Sequence, residues 1–171
     1  MDYTIRRLGP EDANAYRALR LEALERAPMA FGDSVEEAKE RPFQIWHDDL
    51  SGERAYFGGF DGDRLVAMAN FLQETARKVR HRGSLLGVYV APEARGSGLA
   101  AALVETILDY ARGRVKQVHL GVGAYNHGAR KIYKKAGFEL IGTTPRSLLV
   151  GGQYIDEHEM VCFLDKDDNN E

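Results

Sequence analysis

The run LLGVYVAPEARGSGLAAALVETILDYAR, Leu85 to Arg112, decides how this chain folds. Leu85 to Ala91 is rich in Val, Leu and Tyr and reads as a buried strand. Pro92 has no N–H for a sheet ladder, so the strand is expected to end there. Glu93-Ala94-Arg95 turns into Gly96-Ser97-Gly98. Leu99, Ala102, Leu103, Ile107, Leu108 and Ala111 then recur at helical spacing. Glycine permits a positive φ and leaves no Cβ in a ligand's way. The first N–H groups of a helix lack an intrahelical partner, and the macrodipole is positive there. Strand, glycine turn and helix start together suit a pyrophosphate. Arg95 adds a forked, permanent cation.

An ordinary strand-to-helix connection also uses glycines, but the whole run is more specific than a glycine pair. A phosphate loop of the Gly-Lys-Ser/Thr type fails, because the turn holds no lysine. Gly96-x-Gly98-x-x-Ala101 fits the letters of the dinucleotide fingerprint. That motif wants an acid at the end of the next strand, where this chain has Gly121-Val122-Gly123.

Val90-x-Pro92-x-x-Arg95-Gly96-x-Gly98-x-Ala100 resembles the acetyl-CoA signature of the GCN5-related N-acetyltransferases (GNAT), Gln/Arg-x-x-Gly-x-Gly/Ala, met by Arg95, Gly98 and Ala100. Val122-x-x-x-Asn126-x-x-Ala129-x-x-x-Tyr133-x-x-x-Gly137-Phe138 looks like the family's second signature. The resemblance covers Leu85 to Phe138, about a third of the chain. It implies that the turn amides hold the CoA pyrophosphate and that the preceding strand holds the pantetheine. The implied cofactor contacts are Val88, Tyr89, Val90, Arg95, Gly96, Ser97, Gly98, Leu99, Ala100, Asn126, Ala129 and Tyr133. It also implies a wedge between Leu86–Val90 and Val118–Val122 that admits the thioester.

Composition is ordinary for a soluble globular protein. Hydrophobic residues make up 44% and charged residues 29%, and the net charge of −3 gives no overall basic footprint for nucleic acid. No apolar run approaches the roughly 20 residues of a membrane span. The N-terminus MDYTIRRLGPED has no apolar signal core. The lone Cys162 excludes an internal disulfide and suits a reducing cytoplasm. The five histidines are scattered without metal spacing, so no metal is expected. One domain is expected over 1–164, followed by a charged, disordered tail over 165–171.

Tyr3 to Leu8 reads as a first strand, and Pro10 opens a helix that stops near Ala27-Pro28. Glu11 and Asp12 fit dipole partners at its start better than catalysts. Ser34 caps Val35 to Arg41, and Pro42 restarts a helix with Phe43, Ile45, Trp46 and Leu50. Asp33, Glu36, Glu37 and Glu40 read first as a solvated face. The family places its variable acceptor site on these early helices. Ala55 to Phe60 and Leu65 to Phe71 form a hairpin through Asp61-Gly62-Asp63-Arg64. The basic run Arg77 to Arg82 fits a solvated hairpin tip, or else a contact for the CoA 3′-phosphate or an acidic partner. Val115 to Val122 is a strand, a helix opens near Asn126, and Phe138 to Gly142 is a strand. Leu148 to Val150 and Tyr154 to Leu164 form a hairpin around Gly151-Gly152. The fold class is α/β of the α+β kind. It has a mixed, mostly antiparallel sheet of about seven strands flanked by helices, with an acetyl-CoA cleft at the splayed strands.

The implied function is acetyl transfer from acetyl-CoA to a primary amine by direct attack in a ternary complex. No activated Ser or Cys nucleophile is evident. Backbone amides at Val90 and nearby would polarise the thioester carbonyl. Tyr133 suits the proton donor to the departing thiolate, since a phenol stays protonated at pH 7. For the base, Glu157 and Glu159 share a strand face and Glu22 lies on the first helix; Glu157 is slightly preferred. Asn126 also fits an ordinary helix cap. A non-catalytic acyl-CoA-binding module is the alternative function. The expected partners are acetyl-CoA and a small-molecule or peptide amine, with no nucleic acid and no membrane. A homodimer is one open assembly, and the acceptor is not legible.

Overall fold

The computed structural model describes residues 2–166. The described chain forms β1 (Tyr3–Arg7), α1 (Ala13–Arg26), α2 (Val35–Glu40), α3 (Phe43–Asp49), β2 (Ala55–Asp61), β3 (Arg64–Gln73) and β4 (Arg82–Val90). It continues as α4 (Leu99–Ala111), β5 (Gln117–Gly123), α5 (His127–Lys135), β6 (Glu139–Val150) and β7 (Gln153–Phe163). The strands make one sheet in the order β1-β2-β3-β4-β5-β7-β6. Only β4 and β5 run parallel. The other neighbours are antiparallel.

Helices cover both faces. Successive residues of a strand point to opposite sides. Tyr56 of β2 meets Tyr16 of α1 at 5.1 Å between ring centroids, and the next residue, Phe57, meets Tyr110 of α4 at 5.4 Å. Leu103, Val104, Ile107 and Leu108 bury the apolar stripe of α4 completely. On the α1 face, Trp46 of α3 packs edge-on against Tyr16.

The turn chemistry matches the sequence. Gly62, at φ +58, closes the two-residue hairpin between Asp61 and Arg64. Ser34 and Glu37 form the capping box of α2. Pro10–Asp12 is a short 3-10 turn before α1 rather than its first turn. There Asp12 accepts from Gly9 N and from both Arg6 terminal nitrogens, each at 2.9 Å. These bonds, the Arg6 pair first, hold the Asp12 carboxyl below the ordinary carboxylate range despite its burial. A depressed folded pKa stabilises the fold above the unfolded pKa, and that contribution is lost as pH falls through the folded value. Asp12→Asn is therefore expected to lower unfolding free energy by about 1 kcal/mol at pH 7. The gap to wild type narrows in acid, and urea unfolding at the two pH values checks both statements.

The C-terminal part differs from the sequence reading. The expected strand at Phe138–Gly142 and the hairpin arm at Leu148–Val150 are one long strand, β6, with register shifts at Leu140/Gly142 and Thr144/Leu148. Pro145 is tolerated because β6 is the sheet edge and the register breaks around it. Asp165 and Lys166 are exposed, and the remainder of the expected tail lies outside the described residues. Residues 74–81 form the solvent-exposed turn before β4. The basic run sits at the start of β4, roughly 25 Å along the strand from the glycine turn at about 3.3 Å per residue. Its exposure agrees with a solvated tip.

Candidate active site

β4 and β5 pair only through Arg82–Ser84 and Gln117–His119. Beyond Ser84 the two strands part, and a cavity of about 1350 Å³ opens between them. The expected wedge is present, and it begins past His119, so Val118 lies on the paired side. Ala91 N donates to Val66 O on β3 at 2.8 Å. By strand alternation, the amides of Val90 and Val88 face the open side. They are the donors available to a carbonyl or an amide-bearing chain laid along β4.

At one end of the cavity stands the glycine turn. Gly96 and Gly98 have φ of +73° and +84°, and a Cβ at either would enter open space. Gly98 is the N-cap of α4. Ala102 N bonds Gly98 O at 3.0 Å, and Leu99 N bonds Ser97 Oγ at 3.3 Å. Among the described residues, the Ala100 and Ala101 amides have no such partner and point out of the helix start. Ser97 also donates to Ala94 O at 2.6 Å, so its hydroxyl serves the turn itself. The Leu99 side chain is buried against Gly59 in the core. Arg95 is held over the cleft by a bond from Nε to Val90 O at 3.0 Å, with its guanidinium carbon 5.7 Å from the Tyr89 ring centroid.

The second signature lines the opposite wall. Asn126 Oδ1 accepts from Ala129 N at 3.1 Å, so the carbonyl end of the amide caps α5. The NH₂ end remains for the cleft, which Asn126 and Ala129 both line. Tyr133 is 8% exposed and packs edge-on against Phe138 at 5.9 Å. Its hydroxyl has no protein partner among the described residues. Burial pushes it up to about 12, so it stays a donor throughout the physiological range.

The three candidate bases separate. Glu157 lines the cavity and accepts a hydrogen bond from the Ser147 hydroxyl. Glu159 shares the Glu157 face, flanking Gly121, but stands off the cavity wall. Glu22 accepts from the Tyr89 hydroxyl at 3.0 Å and lies 3.7 Å from Arg26, also off the wall. Burial first, then Glu22, raises the Tyr89 phenol. Among the early acids, Asp33 lines the cavity, whereas Glu36, Glu37 and Glu40 do not. Val35 and Lys39 flank them on α2, whose one buried residue is Ala38.

Three features escaped the sequence reading. Gly87 has φ +63° inside β4, at a register shift against β3 between Met68 and Asn70. This is a bulge, and it bends the strand where the cleft opens. Asn70 is buried on the neighbouring strand, and its Oδ1 has no hydrogen-bond partner. A lone Asn in the apolar run Leu65–Phe71 was the available signal. Tyr125 lies over Gly123, where any Cβ would clash with its ring, and it lines the cavity beside Glu157. Burial, then Glu157, raises its phenol.

A model of the Acetyltransferase (GNAT) family matches residues 18–138. The L-amino acid N-acetyltransferase AaaT of Escherichia coli K12 is 29% identical over 121 residues, 68% of this chain and 74% of that protein. Among solved structures, a GNAT-family acetyltransferase from Streptococcus pneumoniae superimposes with a TM-score of 0.84 at 21% identity, covering 95% of this chain and 99% of that one. The yncA protein of Salmonella typhimurium, solved with its cofactor acetyl-CoA, superimposes with a TM-score of 0.81 at 19% identity, over 96% and 95% of the two chains.

Proposed function

Because the chain belongs to the GNAT acetyltransferase family, we propose that it moves the acetyl group of acetyl-CoA to a primary amine by direct attack in a ternary complex. The observation that carries this reading is the parting of β4 from β5 after three paired residues, with the glycine turn and helix start at one end of the gap. The pyrophosphate sits on the turn amides, including Ala100, with Gly96 and Gly98 giving it room and Arg95 beside it. The pantetheine arm runs along Val88–Val90 and meets the Asn126 NH₂. The Val90 amide polarises the thioester carbonyl, and this stabilisation grows as negative charge develops on its oxygen. The amine nitrogen forms the new C–N bond, the C–S bond breaks, and the Tyr133 hydroxyl gives its proton to the departing thiolate.

Glu157 receives the amine's proton through water. Of the three candidate acids it is the one that lines the cavity. Glu157→Gln is expected to lower kcat/KM roughly tenfold at neutral pH. That is less than the ~10²-fold of a direct acid–base group, because water carries the proton. Glu159→Gln, off the cavity wall, should leave kcat/KM near the wild-type value.

The reading is tested by incubating the protein with acetyl-CoA and a panel of amines, following free thiol and the acetylated product together. Thiol release that depends on the amine, with no acetyl-enzyme seen by intact mass, is the expected result. Tight acetyl-CoA binding without release for any amine would favour the binding-module alternative.

A further inference from the structure

Two N–H donors converge on one point beside the bulge. A Cβ at Gly87 would stand 2.9 Å from Asn70 Nδ2 and 3.8 Å from Arg20 Nη1. Glycine leaves that point empty, and all three residues line the cavity. Tyr56, opposite Asn70 in the β2–β3 pairing, places this side of the sheet on the α1 face. It is the face on which the early helices stand, away from the glycine turn.

Asn70 has no structural partner, and Arg20 has one for only part of its guanidinium. Asn70 is 5% exposed, and no protein group bonds its amide among the described residues. A buried amide without a partner is costly, and an apolar residue would fill this strand position better. Arg20 has a side chain only 14% exposed. Its Nη2 is bound to Asp33 at 2.9 Å, and its guanidinium carbon lies 4.7 Å from the Phe31 ring centroid. The Asp33 bond and the ring fix the plane of the guanidinium and leave Nη1 directed at the bulge. Asp33 itself is largely exposed at the cavity mouth. Nη1 of Arg20 remains on the cavity side.

We propose that this pair is a carboxylate site and that the acceptor is a free α-amino acid or a close analogue. The proposal rests on the acetyltransferase reading and names its acceptor class. An α-carboxylate is two bonds from the amine nitrogen. Seated between Arg20 Nη1 and Asn70 Nδ2, it delivers that nitrogen to the bulge, next to the Val88 amide that borders the thioester path. A forked cation with a neutral amide donor is the chemistry that recognises a carboxylate. A diamine offers this pair no carboxylate and is therefore disfavoured. Met29, Phe31 and Tyr56 wall the space beyond and suit an apolar side chain.

The test uses apolar α-amino acids, led by leucine, each matched to its amide and its decarboxylated amine, with a diamine added. Wild type, Arg20→Gln and Arg20→Lys are compared. CoA titration of each variant reports whether the cofactor half is intact. Wild type is expected to favour the amino acid over the decarboxylated amine by about 10²-fold in kcat/KM or more. Arg20→Gln should collapse that ratio through KM, and Arg20→Lys should restore part of it. Turnover of the decarboxylated amine or diamine as efficient as that of the amino acids overturns the carboxylate site and leaves the acetyltransferase reading standing. So does an unchanged ratio in Arg20→Gln. Binding is measured separately by calorimetry of N-acetyl-leucine and its fellow N-acetyl amino acids with the CoA complex. Binding lost in Arg20→Gln supports the site even if turnover is absent and the catalytic reading has failed; no binding to wild type overturns it.

Discussion

Gly98→Val is expected to weaken CoA binding by on the order of 10²–10³-fold. Two effects combine. At φ +84° a β-branched side chain pays backbone strain of roughly 1–2 kcal/mol. Its methyls also project into the space above the Ala100 amide, where the pyrophosphate is proposed to lie, and hold that anion off its donors. Each lost 1.4 kcal/mol is tenfold in affinity. Nothing protein-bound lies within 4 Å of the position, so the damage falls on ligand approach rather than on packing. Arg95→Ala is milder, because the backbone donors remain. Calorimetric titration with CoA, accompanied by a thermal melt, checks the claim. Unchanged affinity in Gly98→Val would remove the turn from the binding site.

Tyr133→Phe carries the second large effect. The ring stays packed on Phe138, and only the hydroxyl is lost. A fall in kcat of ~10²–10⁴-fold is expected, with acetyl-CoA affinity nearly kept. Because burial holds the phenol up to about 12, wild-type kcat has no alkaline limb from this group in the accessible range. Single-turnover kinetics of the two proteins, side by side with CoA titration, separate chemistry from binding. A variant as fast as wild type would assign the thiolate's proton to water or to another phenol of the cavity wall, such as Tyr125.

The geometry of the proposed cofactor half is legible in the sequence because its physics leaves letters behind. A positive φ at a helix start requires glycine, and Gly96 and Gly98 are visible as such. Pro92 marks the strand end for an equally local reason. Asn126 is both cap and cleft residue, so its local reading and the family's reading agree in place. The proposed acceptor half leaves no such trace. Arg20 and Asn70 are far apart in sequence and meet only because α1 lies on β3. Gly87 looks like any strand glycine until its register against β3 is known. β6 was read in two pieces because Gly142 and Pro145 are local breakers. A sheet edge that can shift register absorbs both. Local rules therefore located turns and caps well and overcalled interruptions at the edge.

The alternation within β4 has a consequence for how such a site can change. Val88 and Val90 offer their main chain to the cleft edge, while the Tyr89 side chain points to the face under α1. Substitution replaces side chains and leaves peptide groups in place. Under the proposed reading, contacts to the shared acetyl donor are written in the part of the strand that mutation does not touch. Contacts to the acceptor are written in the part that it edits freely. A single strand thus insulates an invariant half-reaction from a variable one. New acceptor preferences can accumulate around Arg20, Phe31 and Asn70 without renegotiating the grip on CoA.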